Sequence, residues 1–203
     1  NGFILPKAVK SINNGLSDLD LSSQSVKIAR VLLILLLFIF GGFITMGDEF
    51  IYLWLGKSYD NSWTIAVLIM IVNFIPISLG YANAILEARK KVKFKGLLSL
   101  ISSLLGLSMG TILSNYYGIT GMISGIVLFV FIYQLIMVYY YHYKIKLDMV
   151  MYFKKGLLPL LPSFFITYFI ISKINNSIDV NNWLNLAFIF SVYVGVFCTS
   201  FVF

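Results

Sequence analysis

The 203 residues are 60% hydrophobic and only 11% charged, with a mean hydropathy of +0.92 and a net charge of +7. Water-soluble domains carry about 25% charged and about 45–50% apolar residues, so this balance excludes an ordinary soluble domain and points to a chain that crosses a membrane repeatedly. Cys198 is the single cysteine, which excludes an intrachain disulfide.

Asn1 is not a start methionine, and the opening NGFILPK reads as the tail of a preceding apolar segment; the chain is therefore expected to be part of a longer one. Residues 1–28 hold no apolar core of the signal-peptide kind. A bilayer core of about 30 Å needs roughly 20 apolar helical residues. Six stretches come close: A (28–47), B (64–86), C (96–114), D (118–141), E (156–172) and F (183–203). Their cores contain no Lys, Arg, Asp or Glu except Arg30 near the start of A. Transmembrane β-strands alternate in polarity, and IARVLLILLLFIFGGFI does not. The expected fold is an all-α polytopic membrane bundle with six transmembrane helices. It comprises a connection (1–27), four spans (28–141), a loop (142–155) and a C-terminal pair (156–203).

Span B is the most polar in its middle. At about 100° per residue, Asn73, Pro76, Gly80, Asn83 and Glu87 share a face roughly 80° wide. Amides in lipid need partners, so that face either packs on other helices as hydrogen-bonding glue or lines a polar cavity. Pro76 removes a backbone hydrogen bond and predicts a kink. Span C carries a small-residue stripe of Ser99, Ser102, Ser103, Gly106 and Gly110, and span D opens with GMISG at 121–125. Such residues let helix backbones approach closely and predict packing seams. Gln134 lies roughly opposite Gly121 and Gly125, facing either an interior or a neighbouring helix. Pro159 and Pro162 predict a bent or loosened start to E. His142 in YYYHYK reads as a surface residue and Cys198 as a small apolar filler.

Lysine and arginine set the orientation of membrane helices. Thirteen of the fifteen fall on one side: Lys7, Lys10, Lys27, Arg30, Arg89, Lys90, Lys91, Lys93, Lys95, Lys144, Lys146, Lys154 and Lys155. Only Lys57 and Lys173 fall on the other, while the acids divide evenly, with Asp48, Glu49, Asp60 and Asp179 opposite the basic side. The basic side, including loops 87–95 and 142–155, is expected to be cytoplasmic. Trp54, Trp63 and Trp183 fall together at the predicted outer interface. The basic loops are accounted for by orientation, so no nucleic-acid partner is expected.

Enzyme chemistry finds no foothold: there is no carboxylate pair, metal-ligand cluster or phosphate-cradling loop. Neither a catalytic residue nor a metal site is assigned. Asn175-Asn176-Ser177 matches a glycosylation sequon but carries no functional reading.

Three stretches carry a resemblance: FIYLWLGKSYDNSW after A, YANAILEARKKVKFKG at the end of B, and NYYGITGMISGIVLFVFIYQLIMVYYYHYKIKL across D. With them the chain resembles the C-terminal portion of bacterial polysaccharide flippases of the Wzx type (O-antigen or repeat-unit exporters). These belong to the multidrug/oligosaccharidyl-lipid/polysaccharide exporter superfamily. The resemblance covers nearly all of the chain through loose motifs. It implies helices nine to fourteen of a fourteen-helix transporter, two lobes rocking by alternating access, and no cofactor beyond a coupling ion, H+ or Na+. The implied substrate is an undecaprenyl-pyrophosphate-linked oligosaccharide flipped across the bacterial cytoplasmic membrane. The implied partners are the bilayer and other polysaccharide-assembly membrane proteins. Asn73, Asn83, Tyr81 and Gln134 are the candidates for a substrate path, and Arg30, Arg89, Lys90 and Lys91 for a diphosphate at the cytoplasmic mouth. Three alternatives stand beside this reading, the first two being a small-molecule exporter of the same superfamily and a membrane polysaccharide polymerase or ligase, whose large charged outer loop is lacking here. A passive assembly subunit is the third.

Overall fold

The computed structural model describes residues 4–59, 61–175, 177–178, 180 and 182–202. Asp60, Asp179 and Asn176 of the sequon-like triplet lie outside them. The described residues are helical throughout, with short turns and no strand.

Helix α1 (Ile4–Asn13) is amphipathic and lies against α4 (Gly80–Ala88), burying Ala8 and Ser11 and exposing Lys7 and Lys10. Gly15, with φ +70°, turns the chain into α2 (Asp18–Leu55). Ser17 caps α2 by accepting from the Asp20 amide at 3.2 Å, and Asp18 and Asp20 place negative charge at the positive end of the helix dipole. At 38 residues α2 is about 57 Å long, far more than a bilayer core, so its first turns project beyond the apolar stretch. Leu21, Ser25, Ala29, Leu33, Leu37, Gly41 and Thr45 recur every fourth residue and form its buried stripe. α2 is the central rod. α3 (Asn61–Ser78) packs on it, as do α7 (Leu161–Asn175) and α8 (Trp183–Val202).

Among the described residues, five helices are long and apolar enough to cross a membrane: Asp18–Leu55, Lys57–Ser78, Val92–Tyr143, Met149–Asn175 and Trp183–Phe201. The sequence divides the third of these, α5 (Val92–Tyr143), into spans C and D. The backbone of α5 reverses at Gly118, where φ is 60° and ψ −144°. This left-handed conformation suits glycine, which lacks a Cβ. The arms on either side, 92–117 and 119–143, then run antiparallel. Gly106 faces Ile126 and Gly110 faces Met122 and Gly125, while Ser102 Oγ donates to Phe129 O at 2.8 Å. Ser102, Gly106 and Gly110 of the predicted stripe form the contact between these two arms, whereas Ser99 and Ser103 are exposed, Ser103 Oγ donating back to Ser99 O.

Span B is not one helix. Pro76 lies within α3, and the backbone leaves helical geometry at Leu79 (φ −88°, ψ 20°) before α4 begins. Proline lacks the amide proton and crowds the preceding turn, which weakens the ladder at this point. Span E starts earlier than predicted. Asp148 accepts from the Met151 amide at 3.0 Å and caps α6 (Met149–Met151). A π-helical turn (Tyr152–Leu157) and a 3-10 turn (Leu158–Leu160) follow, leading into α7. Neither Pro159 nor Pro162 can donate to a regular helical ladder, and the ladder changes pitch there. Cys198 is exposed on α8 rather than buried as a filler.

The loops gather at two ends. At the basic end Arg89 meets Asp18, Lys91 meets the Lys144 carbonyl, and Ser22 Oγ accepts from the Asp148 amide at 2.9 Å. At the other end Trp63 Nε1 donates to Phe43 O at 3.1 Å, and the Phe50 ring lies against Trp54 and Trp183. All three tryptophans collect at one end of the bundle, as the sequence predicted.

Candidate functional site

The polar residues singled out in the sequence separate into three sets. The first is internal. Tyr81 is fully buried, and its hydroxyl donates to Gln24 Oε1 at 2.7 Å and lies 3.2 Å from Ser11 Oγ. This ties α4 to α1 and α2. Asn83 Oδ1 accepts from Lys95 Nζ at 2.9 Å and from Tyr141 Oη at 2.6 Å, joining α4 to both arms of α5. Gln134 is buried within α5. These groups are occupied or enclosed, and at Tyr81 and Asn83 their chemistry is spent on holding helices together.

The second set is open. Asn73 is exposed on α3, its amide nitrogen donating back to Ile69 O at 2.8 Å. Nine residues separate it from Thr64, about 13 Å along the axis, which is mid-depth for the predicted span B. Because the helix breaks at Leu79, Asn73 and Asn83 do not share one continuous face. Ile69, Ile71 and Ile77 around Asn73 are exposed as well. An amide on such a face can hydrogen-bond a passing hydroxyl or a side chain of another helix.

The third set lies at the basic end. Arg89 Nη2 pairs with Asp18 Oδ1 at 2.6 Å, and its Nη1 donates to Ile145 O at 2.5 Å. Arg89 thereby fastens three segments, and both ends of its guanidinium are engaged. Arg30, Lys90 and Lys91 are exposed, with Lys91 Nζ donating to Lys144 O at 3.2 Å. His142 is half-buried, its Nδ1 accepting from the Met149 amide at 3.3 Å.

Sequence reasoning did not pick out Gln24, Ser11, Tyr141 or Lys95 as network members. Gln24 and Ser11 sit in the connection 1–27, where polar residues attract no notice, and Tyr141 and Lys95 are single members of the YYYHYK run and of the basic loop 87–95. Their partners lie 12 to 70 residues away in sequence, and no local periodicity links them.

An apolar cleft of about 460 Å³ opens between α2 and α8 near the tryptophan end, lined by Phe38, Gly42, Phe43, Met46, Trp183 and Phe190 among others. Among the described residues no group of three or more His, Cys, Asp or Glu could hold a metal ion. No family model matches the chain, and no curated protein or solved structure does either. The chain is an all-helical, multi-pass membrane protein by the length and apolarity of its helices.

Proposed function

We propose that this chain forms six membrane crossings of a transporter, with the two arms of α5 crossing separately and the basic end in the cytoplasm. The transporter is a flippase for lipid-linked oligosaccharide repeat units in the bacterial cytoplasmic membrane, working by alternating access. The observation that carries this reading is Asn73, an amide on an exposed face of α3, near the middle of the span expected from the sequence. A polar group in hydrocarbon costs several kcal/mol unless it is satisfied, so a stable place for this face is against a hydrated path or another helix. A sugar head group crossing the bilayer needs a path of this kind. The cleft between α2 and α8 offers a berth for the apolar chain of a lipid-linked substrate, which stays in the hydrocarbon throughout. With Tyr81 and Asn83 committed to interhelical bonds and Gln134 buried within α5, the substrate path falls to Asn73, and Arg30 is the open arginine at the cytoplasmic mouth.

The test is genetic and chemical. Cells lacking the protein should accumulate lipid-linked oligosaccharide on the cytoplasmic leaflet while polymerase activity persists. Asn73→Leu should reproduce the accumulation at normal protein levels. Surface polysaccharide unchanged in the deletion would overturn the reading, and loss of drug efflux instead would favour the small-molecule exporter.

A further inference from the structure

The loop after α4 and the loop after α5 are stitched into one surface. Arg89 Nη1 donates to Ile145 O, and Lys91 Nζ donates to Lys144 O. These carbonyls lie just past the last turn of α5, at the end of the helix that carries partial negative charge. The stitching brings Lys90, Lys91, Lys93, Lys144 and Lys146 together, and all five are exposed. The nearby acids are outnumbered: Asp18 is paired with Arg89, and only Asp148, which caps α6, and the half-exposed Glu87 stand against the five lysines. The surface therefore keeps a net positive charge.

Two further observations fix its surroundings. Lys90 and Lys146 both hold positive φ, 56° and 61°, a conformation that glycine adopts more easily than lysine. Lysine stands at both positions despite that strain. Directly beside the lysines lies a belt of rings. Phe94 stacks on Tyr140 with centroids 4.4 Å apart, Tyr139 lies 4.4 Å from Tyr143, and the latter two are 63% and 60% exposed. Exposed aromatic rings of this kind favour the headgroup layer of a bilayer. Cations at the same level meet phosphates there, not hydrocarbon and not bulk water.

We infer that the stitched loops 89–93 and 144–146 form a docking platform for the headgroups of anionic phospholipids, which hold this end of the bundle at the membrane surface. The platform is more than a sum of charges, because Arg89 and Lys91 fix where the other lysines stand. The inference goes beyond transport and stands or falls independently of the flippase reading.

The full-length protein in nanodiscs, probed with spin-labelled phosphatidylglycerol and phosphatidylcholine, gives the relative association of the two lipids. The wild type should prefer phosphatidylglycerol, and the preference should weaken with salt. Replacing Lys90, Lys91, Lys144 and Lys146 by Gln should reduce the preference by about a hundred-fold or more, since the contributions of four basic residues near an anionic leaflet multiply. The control replaces Lys7, Lys10, Lys154 and Lys155 by Gln, with the same loss of charge, and should keep most of the preference. The double change Lys90→Gly and Lys146→Gly relieves backbone strain, so it should raise thermal stability while lowering the lipid preference. Equal losses in platform and control variants, an unchanged preference in the glycine variant, or no preference in the wild type would each overturn the inference.

Discussion

The hydroxyl of Tyr141 donates to Asn83 Oδ1 at 2.6 Å, joining the last turns of α5 to the short helix α4. Lys95, from the opposite arm of α5, donates to the same oxygen at 2.9 Å. One acceptor thus holds three helix ends. Asn83→Ala leaves Tyr141 and Lys95 without it, and is expected to cost about 1–3 kcal/mol. Tyr141→Phe removes one donor and should cost less. Because the two share a bond, the double variant should lose less than the two singles combined. Urea or thermal unfolding in detergent micelles reads all three.

The seam within α5 makes a sharper prediction. A Cβ on Gly125 would fall 2.6 Å from Gly110 N, and one on Gly121 would fall 2.4 Å from Leu113 O. Both clashes are with backbone, which cannot swing aside as a side chain can. Gly125→Ala should therefore destabilise by about 2 kcal/mol or more as the arms are forced apart. Gly195 on α8 is the counterpart, since a Cβ there meets nothing within 4 Å. Gly195→Ala should be neutral or stabilising by up to about 1 kcal/mol through helix propensity. Parallel unfolding curves would settle the contrast, and equal effects would refute the seam.

Much of this architecture could be read from the chain. Long uncharged runs located the helices because hydrocarbon tolerates nothing else, and the small residues of spans C and D marked the seam, although Ser99 and Ser103 of that stripe lie outside it. Composition could not show where a ladder breaks. Pro76 announced a kink, yet the interruption falls at Leu79, three residues on, and it separates Asn73 from Asn83. The periodicity argument assumed a continuous helix and failed there for that reason. Arg89 and Tyr81 looked available in the sequence because their partners, Asp18 with Ile145 O and Gln24 with Ser11, come from distant segments. Polar side chains reveal their use only once the loops are assembled.

Arg89 is expected to matter for cohesion more than for substrate. Its ion pair with Asp18 is partly exposed, with side chains 22% and 41% accessible, so solvent screens it and the pair is worth only about 1 kcal/mol. The bond to Ile145 O adds to this. Arg89→Gln should lower thermal stability, and should do so less in an Asp18→Asn background, where the pair is already broken. Lys95→Gln keeps a donor for Asn83 and should be milder. If Arg89→Gln abolished transport without shifting the melting temperature, the residue would belong to the substrate path.

The reversal at Gly118 bears on how often the chain crosses the bilayer. Each arm of α5 holds about 25 residues, or about 37 Å of helix, against a hydrocarbon core of about 30 Å. A hairpin that begins at Lys91 must then carry its tip past the far edge of the core. Tyr116 and Tyr117, next to the turn, are 77% and 72% exposed. Their phenol rings suit the opposite headgroup layer. In a Cys198→Ser background, Tyr117→Cys should react with a membrane-impermeant maleimide in intact cells, and Lys91→Cys only after permeabilisation. Protection of both would mean that the arms enter and leave without reaching the far side, and the sixfold crossing would fail. Reaction of Lys91→Cys from outside would invert the whole orientation and remove the basis for a cytoplasmic basic end.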